Sequence, residues 1–159
     1  RAPCKLTRFR GELHQAVDTL IAPSAGRSKN MAAIRSRNTQ TEVYVRRVIH
    51  RAGLRFRLHD KNLPGKPDLI CPRLKAAIFV HGCFWHGHVC EVAKRPRTNV
   101  HYWHPKIEGN MARDRMSVRR LRRMGWRVFI IRECRLEGGT RRVVSALKRL
   151  QSAEGRTHG

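Results

Sequence analysis

Apolar and polar positions alternate with two different periods along the chain, and the periods predict the elements. Thr39-Gln40-Thr41-Glu42 has the form of a capping box, a hydroxyl followed three residues later by Glu. Val45, Val48, Ile49 and Ala52 then recur at helical spacing, and Gly53 supplies the stop, so a helix of three to four turns is predicted there. Leu54, Phe56 and Leu58 alternate with Arg55, Arg57 and His59, the pattern of a half-buried strand. Leu63-Pro64-Gly65-Lys66-Pro67 is turn chemistry. A short strand follows over 68–71, and a third over 76–81 is apolar on both faces and expected at the sheet centre. Short connections predict an antiparallel meander for these three. Residues 82–106, rich in Gly, His, aromatics and Pro, read as irregular. A long helix is predicted over 105–124, then a buried strand over 126–131, then a helix over 140–151 with Val143, Val144, Leu147 and Leu150 inward. The order α-β-β-β-α-β-α gives an α/β fold, a mixed sheet flanked by helices.

The ends carry less pattern. Residues 1–26 read as a flexible leader, with at most a short helix near Met31 to follow, and 153–159 as a flexible tail. One domain over 27–152 is expected. The opening Arg1 in place of Met suggests a trimmed boundary.

Charge narrows the partner. Lys and Arg number 35 against 11 acidic residues, a formal net charge of +24, while 40% hydrophobic residues support a packed interior. That excess repels itself and suits a polyanion, with nucleic acid ahead of an acidic membrane. The longest apolar run, Ala76-Ala77-Ile78-Phe79-Val80, is far short of the roughly 18 residues of a membrane helix. No signal-peptide core is evident, so a cytoplasmic setting is expected. Five Cys, an odd number, argue against a disulfide framework.

Three of those Cys keep close company with His or a strand end. Cys83, His88 and Cys90 lie within eight residues, and Cys134 follows the predicted last strand. Together they could form a closed Cys3His zinc site. The plain alternative is that they are small buried hydrophobes, which is the reading adopted for Cys4 and Cys71. His81 and His86 flank the same loop, and either could move a proton near neutral pH. Asp68 at a strand start is equally a Mg2+ ligand or a turn Asp. Asp114 falls inside the stripe Ile107, Met111, Val118, Leu121, where a carboxylate needs a partner, either a His or one of the many Arg. Glu42 is already explained by capping. The run Arg119-Arg120-Leu121-Arg122-Arg123 is a solvated helix face that, with this net charge, reads as part of a phosphate-contacting surface. Phe84, Trp85, Tyr102 and Trp103 could stack on or wedge between bases, or fill the core.

The segments Arg27-Ser28-Lys29-Asn30-Met31, Leu63 through Asp68, His81-Gly82-Cys83-Phe84-Trp85-His86 through Cys90, Asn110 to Arg115, Gly125-Trp126-Arg127-Val128 and Glu133-Cys134 resemble the very-short-patch repair endonuclease family. The resemblance covers residues 27–136. It implies a restriction-endonuclease-like fold with a structural zinc. It implies a Mg2+-dependent nick of one strand of duplex DNA, 5′ to the thymine of a T·G mismatch left by deamination of 5-methylcytosine, which starts short-patch repair. It implies Asp68 and the backbone carbonyl of Val80 as Mg2+ ligands, and His86 as general acid–base oriented by Asp114, with His81 and Glu42 nearby. Zinc would sit on Cys83, His88, Cys90 and Cys134. Phe84, Trp85 and Trp103 would enter the DNA beside the mismatch, and Met31 would clamp from the other groove. A monomer is expected, working on DNA at the nucleoid with mismatch-repair proteins as partners. Two departures stand out: Val80 occupies a position where the family often has Thr, and the second acid and Lys of ordinary restriction nucleases are absent. Two other readings stay open, a non-catalytic zinc-stabilised DNA-binding module and a nuclease of the His-metal type.

Overall fold

A computed structural model describes residues 39–91 and 93–156. Helix α1 (Gln40–Arg51) opens at Thr39, whose hydroxyl accepts the Glu42 N–H at 3.3 Å. Strands β1 (Arg57–Leu58), β2 (Leu69–Cys71) and β3 (Ala76–His81) form the expected antiparallel meander. The long helix α2 (Val100–Arg123) then crosses over, and β4 (Arg127–Arg132) lies parallel to β3. A single 3-10 turn (Glu133–Arg135) leads into α3 (Leu136–Arg156). The sheet order is β1-β2-β3-β4, so the fold is the mixed α/β arrangement the patterning predicts.

Period-two alternation distributes the core between two layers. Leu69, Cys71, Ala76 and Ile78 face Val45 and Ile49 of α1 and Val143 and Leu147 of α3. Ile70, Ala77 and Phe79 face the opposite way, onto Leu121 of α2. β3 is central, as expected, and is buried at five of its six positions.

Four expectations are corrected. The first strand is reduced to two paired residues, and Leu58 is 44% exposed because the chain leaves the sheet at His59, which has a φ of 47°. β4 is an edge strand among the described residues, so only Ile131 is buried and Ile130 is 42% exposed. Helix α2 starts at Val100, before Pro105, because Asn99 adopts a left-handed conformation and its carbonyl accepts both the Tyr102 and Trp103 N–H groups at 3.1 Å. The carbonyl that Pro105 leaves without a helical donor belongs to exposed His101, where water can serve it. Helix α3 starts at Leu136 and runs through Gly138 and Gly139 to Arg156, past both the predicted helix end and the expected domain boundary. A Cβ at Gly139 would come within 3.3 Å of Ile131, so this glycine lets α3 lie close on β4. Met31 and the leader lie outside the described residues, as do residues 157–159 of the expected tail.

Candidate active site

The site forms where β2, β3 and the loop after β3 meet the middle of α2. Asp68, at the head of β2, accepts the Val80 N–H on its Oδ2 at 2.7 Å. The N–H and C=O of one strand residue point to the same edge, so the Val80 carbonyl is on the Asp68 side. Burial raises the Asp68 pKa, the Val80 bond offsets part of that, and nearby Glu42 raises it again. Glu42 is itself buried: its Oε1 accepts the Thr39 hydroxyl at 3.0 Å and its Oε2 pairs with Arg46 at 2.9 Å. A second Arg46 contact reaches His59 Nε2, also at 2.9 Å.

His81 ends β3, and the chain then turns tightly, with the His86 N–H on the Gly82 carbonyl and the His88 N–H on the Cys83 carbonyl. The turn lays the His86 ring flat on His81, with centroids 3.6 Å apart and 6° between planes. His86 Nδ1 donates to Asp114 Oδ2 at 2.6 Å. So the carboxylate in the helix stripe has found a His. Burial works against the Asp114 carboxylate, but the His86 bond and the imidazole charges outweigh it and hold the group below its usual value. His81 is pushed down to about 4, by burial first and by the stacked His86 second. Gly87, at φ 62°, permits this approach, since a Cβ there would meet Met111 and Ile107 of α2.

Asp68, Val80, Glu42, His81, His86 and Asp114 line one cleft of about 980 Å³, with Phe84, Trp85 and Trp103 in its wall. The aromatic rings touch edge to face at centroid separations of 5.1 to 6.2 Å. Trp103 is buried beneath, while Phe84 and Trp85 are half-buried. Beside the cleft, the ligand atoms of Cys83, His88, Cys90 and Cys134 lie within 4.8 Å of one another, and the Cys134 Sγ is 3.5 Å from His88 Nδ1.

The family described as DNA mismatch endonuclease Vsr matches residues 20–92. A type II nicking enzyme, V.XorIIP, from Xanthomonas oryzae is 48% identical over 106 residues, 67% of this chain and 78% of that protein. The DNA mismatch endonuclease Vsr of Escherichia coli is 44% identical over 118 residues, 74% of this chain and 76% of its own length. The chain belongs to the Vsr family. A third relative, the type II nicking enzyme V.NaeI of Lentzea aerocolonigenes, is 38% identical and covers 86% of each chain.

The donor sets suit the two metals that the resemblance implies for a Vsr-family chain. Asp68 and the Val80 carbonyl are hard oxygen donors, the kind Mg2+ takes, and a cation there would offset the burial and the Glu42 charge that raise the Asp68 pKa. Three thiols and an imidazole, with ligand atoms within 4.8 Å of one another, are the donor types of a closed zinc shell. Cys83 is fully buried and its thiol is pushed up to about 11, chiefly by burial, so a bound cation would have to displace that proton. Cys71 is likewise pushed up to about 11 by burial, with no such neighbours, and fills the core.

Three residues that sequence reasoning missed hold this Vsr-family site. Glu133 accepts the Cys83 N–H at 3.2 Å, Asn110 donates to the Trp85 carbonyl at 2.9 Å, and Arg46 joins Glu42 to His59. Asn110 could have been found from sequence, since it sits one helical turn before Asp114 on the same face. Arg119 and Arg120 are exposed on α2, and neither lines the cleft.

The buried His81 makes the fold acid-sensitive. Its folded pKa of about 4 lies below the unfolded value near 6.5, so between these limits the unfolded chain binds more protons. Stability contributed by neutral His81 is complete above pH 6.5 and falls through the window toward 4, by on the order of 3 kcal/mol. Asp114, whose pKa is lowered, adds its loss only below the ordinary carboxylate range. Melting curves of the parent should drop across pH 6.5 to 4, and His81→Gln should flatten that drop. Equal slopes in both proteins would remove His81 as its origin.

Proposed function

We propose that this chain nicks one strand of duplex DNA 5′ to the thymine of a T·G mismatch, by Mg2+-dependent hydrolysis, and so starts short-patch repair. The observation that carries the reading is a single cleft uniting a carboxylate on a strand edge, an Asp-oriented His and a half-buried aromatic wall. The relatives' names, mismatch endonuclease and nicking enzyme, support it.

Asp68 and the Val80 carbonyl would hold Mg2+, and Cys83, His88, Cys90 and Cys134 would hold one Zn2+. Bound Mg2+ supplies Lewis-acid stabilisation of charge on the phosphate and lowers the pKa of water. In the reaction a water oxygen bonds to phosphorus and the P–O3′ bond breaks, leaving a 5′-phosphate and a 3′-hydroxyl. His86 is the proton-transfer group. With Nδ1 engaged by Asp114, its tautomer is fixed and Nε2 is the nitrogen that exchanges a proton with the reacting oxygens. His81, held neutral, supports the His86 ring without competing for its proton. Glu42 adds negative charge beside Asp68 and strengthens cation binding.

Phe84 and Trp85 read the mismatch. A T·G pair opens more cheaply than a Watson–Crick pair, so inserted rings discriminate by unstacking cost. Trp85→Ala should keep its fold and lower the preference for T·G over T·A duplex about tenfold, the equivalent of roughly 1.4 kcal/mol. Gel-shift competition measures this. Full preference in a destabilised variant would return both rings to a packing role. The activity itself is tested by incubating a T·G duplex with and without Mg2+. A cut in one strand, dependent on Mg2+, is expected. A binding module would leave every strand intact.

A further inference from the structure

The His86–Asp114 pair borders a second concavity. A groove of about 480 Å³ opens toward β4, between the loop after β3 and the outer side of α2. Arg115, Arg119 and Arg122 line it from α2, spaced by four and three residues and therefore on one helix face. Arg132 lines it from the end of β4, opposite His81 in the parallel ladder. All four are exposed, and none pairs with a carboxylate: among the described residues the ion pairs are Arg46–Glu42 and His86–Asp114. Four like charges around one groove repel one another unless an anion joins them. The walls also carry Val89, 73% exposed, and Ile130, 42% exposed. Guanidiniums interleaved with exposed aliphatic side chains match a ligand that is anionic along one edge and apolar along the other.

We propose that this groove binds an unpaired segment of the DNA strand, with the four Arg on its phosphates and Val89 and Ile130 against sugar and base. The proposal rests on the reading of the chain as a DNA-nicking enzyme and extends it to the strand beside the mismatch. A paired duplex keeps its bases stacked inside and offers such a groove only phosphates, whereas an unpaired strand offers both surfaces. The volume is at the small end of ligand sites, room for about one or two nucleotides.

The test uses the full chain without Mg2+, so that no strand is cut. Affinity is measured over a salt series for a fully paired T·G duplex and for one with an unpaired overhang beside the mismatch. Arg122→Gln/Arg132→Gln should lose about tenfold in affinity for the overhang substrate, and the salt slope should fall by about 1.4, two single-strand phosphate contacts. Affinity for the paired duplex should change far less. Arg122→Lys/Arg132→Lys should keep the slope, which guards against a folding defect. Arg141→Gln/Arg142→Gln on α3 removes the same charge elsewhere and should leave the preference for the overhang intact. An unchanged slope in the groove variant, or an equal loss in the α3 variant, overturns the proposal. Nicking by the parent tests the broader reading separately: a parent that nicks T·G duplex while the groove variant keeps its slope loses this proposal alone.

Discussion

Asp68→Asn should yield a protein that binds T·G duplex as tightly as its parent and nicks it at least 10³-fold more slowly, the loss expected when several kcal/mol of metal-supplied stabilisation disappear. Asn is the better substitution. Its side-chain oxygen can still accept the Val80 N–H that Asp68 accepts at 2.7 Å. Ala would leave that N–H without its partner, at a cost of about 1–3 kcal/mol. Affinity survives because Lys and Arg contacts to phosphates carry most of it, and one carboxylate fewer beside the phosphate favours binding slightly. Single-turnover nicking at saturating enzyme separates the two effects. Nicking at the parental rate in Mg2+ would exclude Asp68 from the site. His86→Ala should lose roughly two to four orders of magnitude in rate, since it removes proton transfer and leaves the metal ligands in place.

What could be read from the sequence follows from how local each signal is. The capping box and the apolar spacing of α1 are short-range and hold in the structure. So does the position of Asp114, because a carboxylate inside a helical stripe needs a partner, and here His86 is 2.6 Å away. The crossover helix was legible but its start was not, since Pro105 imitates a first-turn residue, while the true start depends on Asn99 and on the burial of Trp103. The burial of β4 was misjudged because V-F-I-I reads as a central strand. No local pattern says that its far edge has no neighbour among the described residues. The Glu42–Arg46–His59 chain was invisible for a similar reason: it joins a helix to a loop whose course is set by the positive φ of His59. Phe84 and Trp85 fall between these cases. They lie between Cys83 and His86 in the sequence, and in the structure both are half-buried against Trp103.

Removal of zinc should cost this protein its folded site as well as its activity. Cys83 and Cys134 are 51 residues apart, yet they meet for a simple reason. His81 pairs with Arg132 in the parallel ladder of β3 and β4, and each Cys follows its strand end by two residues. The Cys134 N–H points at the Cys83 sulfur at 3.4 Å, and Glu133 holds the Cys83 N–H. These contacts, with that of Cys134 Sγ to His88 Nδ1, tie the loop after β3 to the turn that follows β4, and the same loop carries His86 and Trp85. A closed four-ligand shell predicts about one zinc per chain. Structural zinc binding is worth roughly 10–16 kcal/mol in small finger peptides, comparable to the whole stability of a domain. Cys134→Ser should therefore lose the metal, melt well below the parent and expose the loop at 82–91 to proteolysis before the core formed by α1, α3 and the sheet gives way. A strong chelator should reproduce this in the parent. Cys71→Ser is the control: it alters a buried Cys in the core and should keep full zinc content, losing only packing stability. Metal analysis finding no zinc in nicking-competent protein would end the assignment. Full protection of the loop in metal-free Cys134→Ser would show that hydrogen bonds alone position His86.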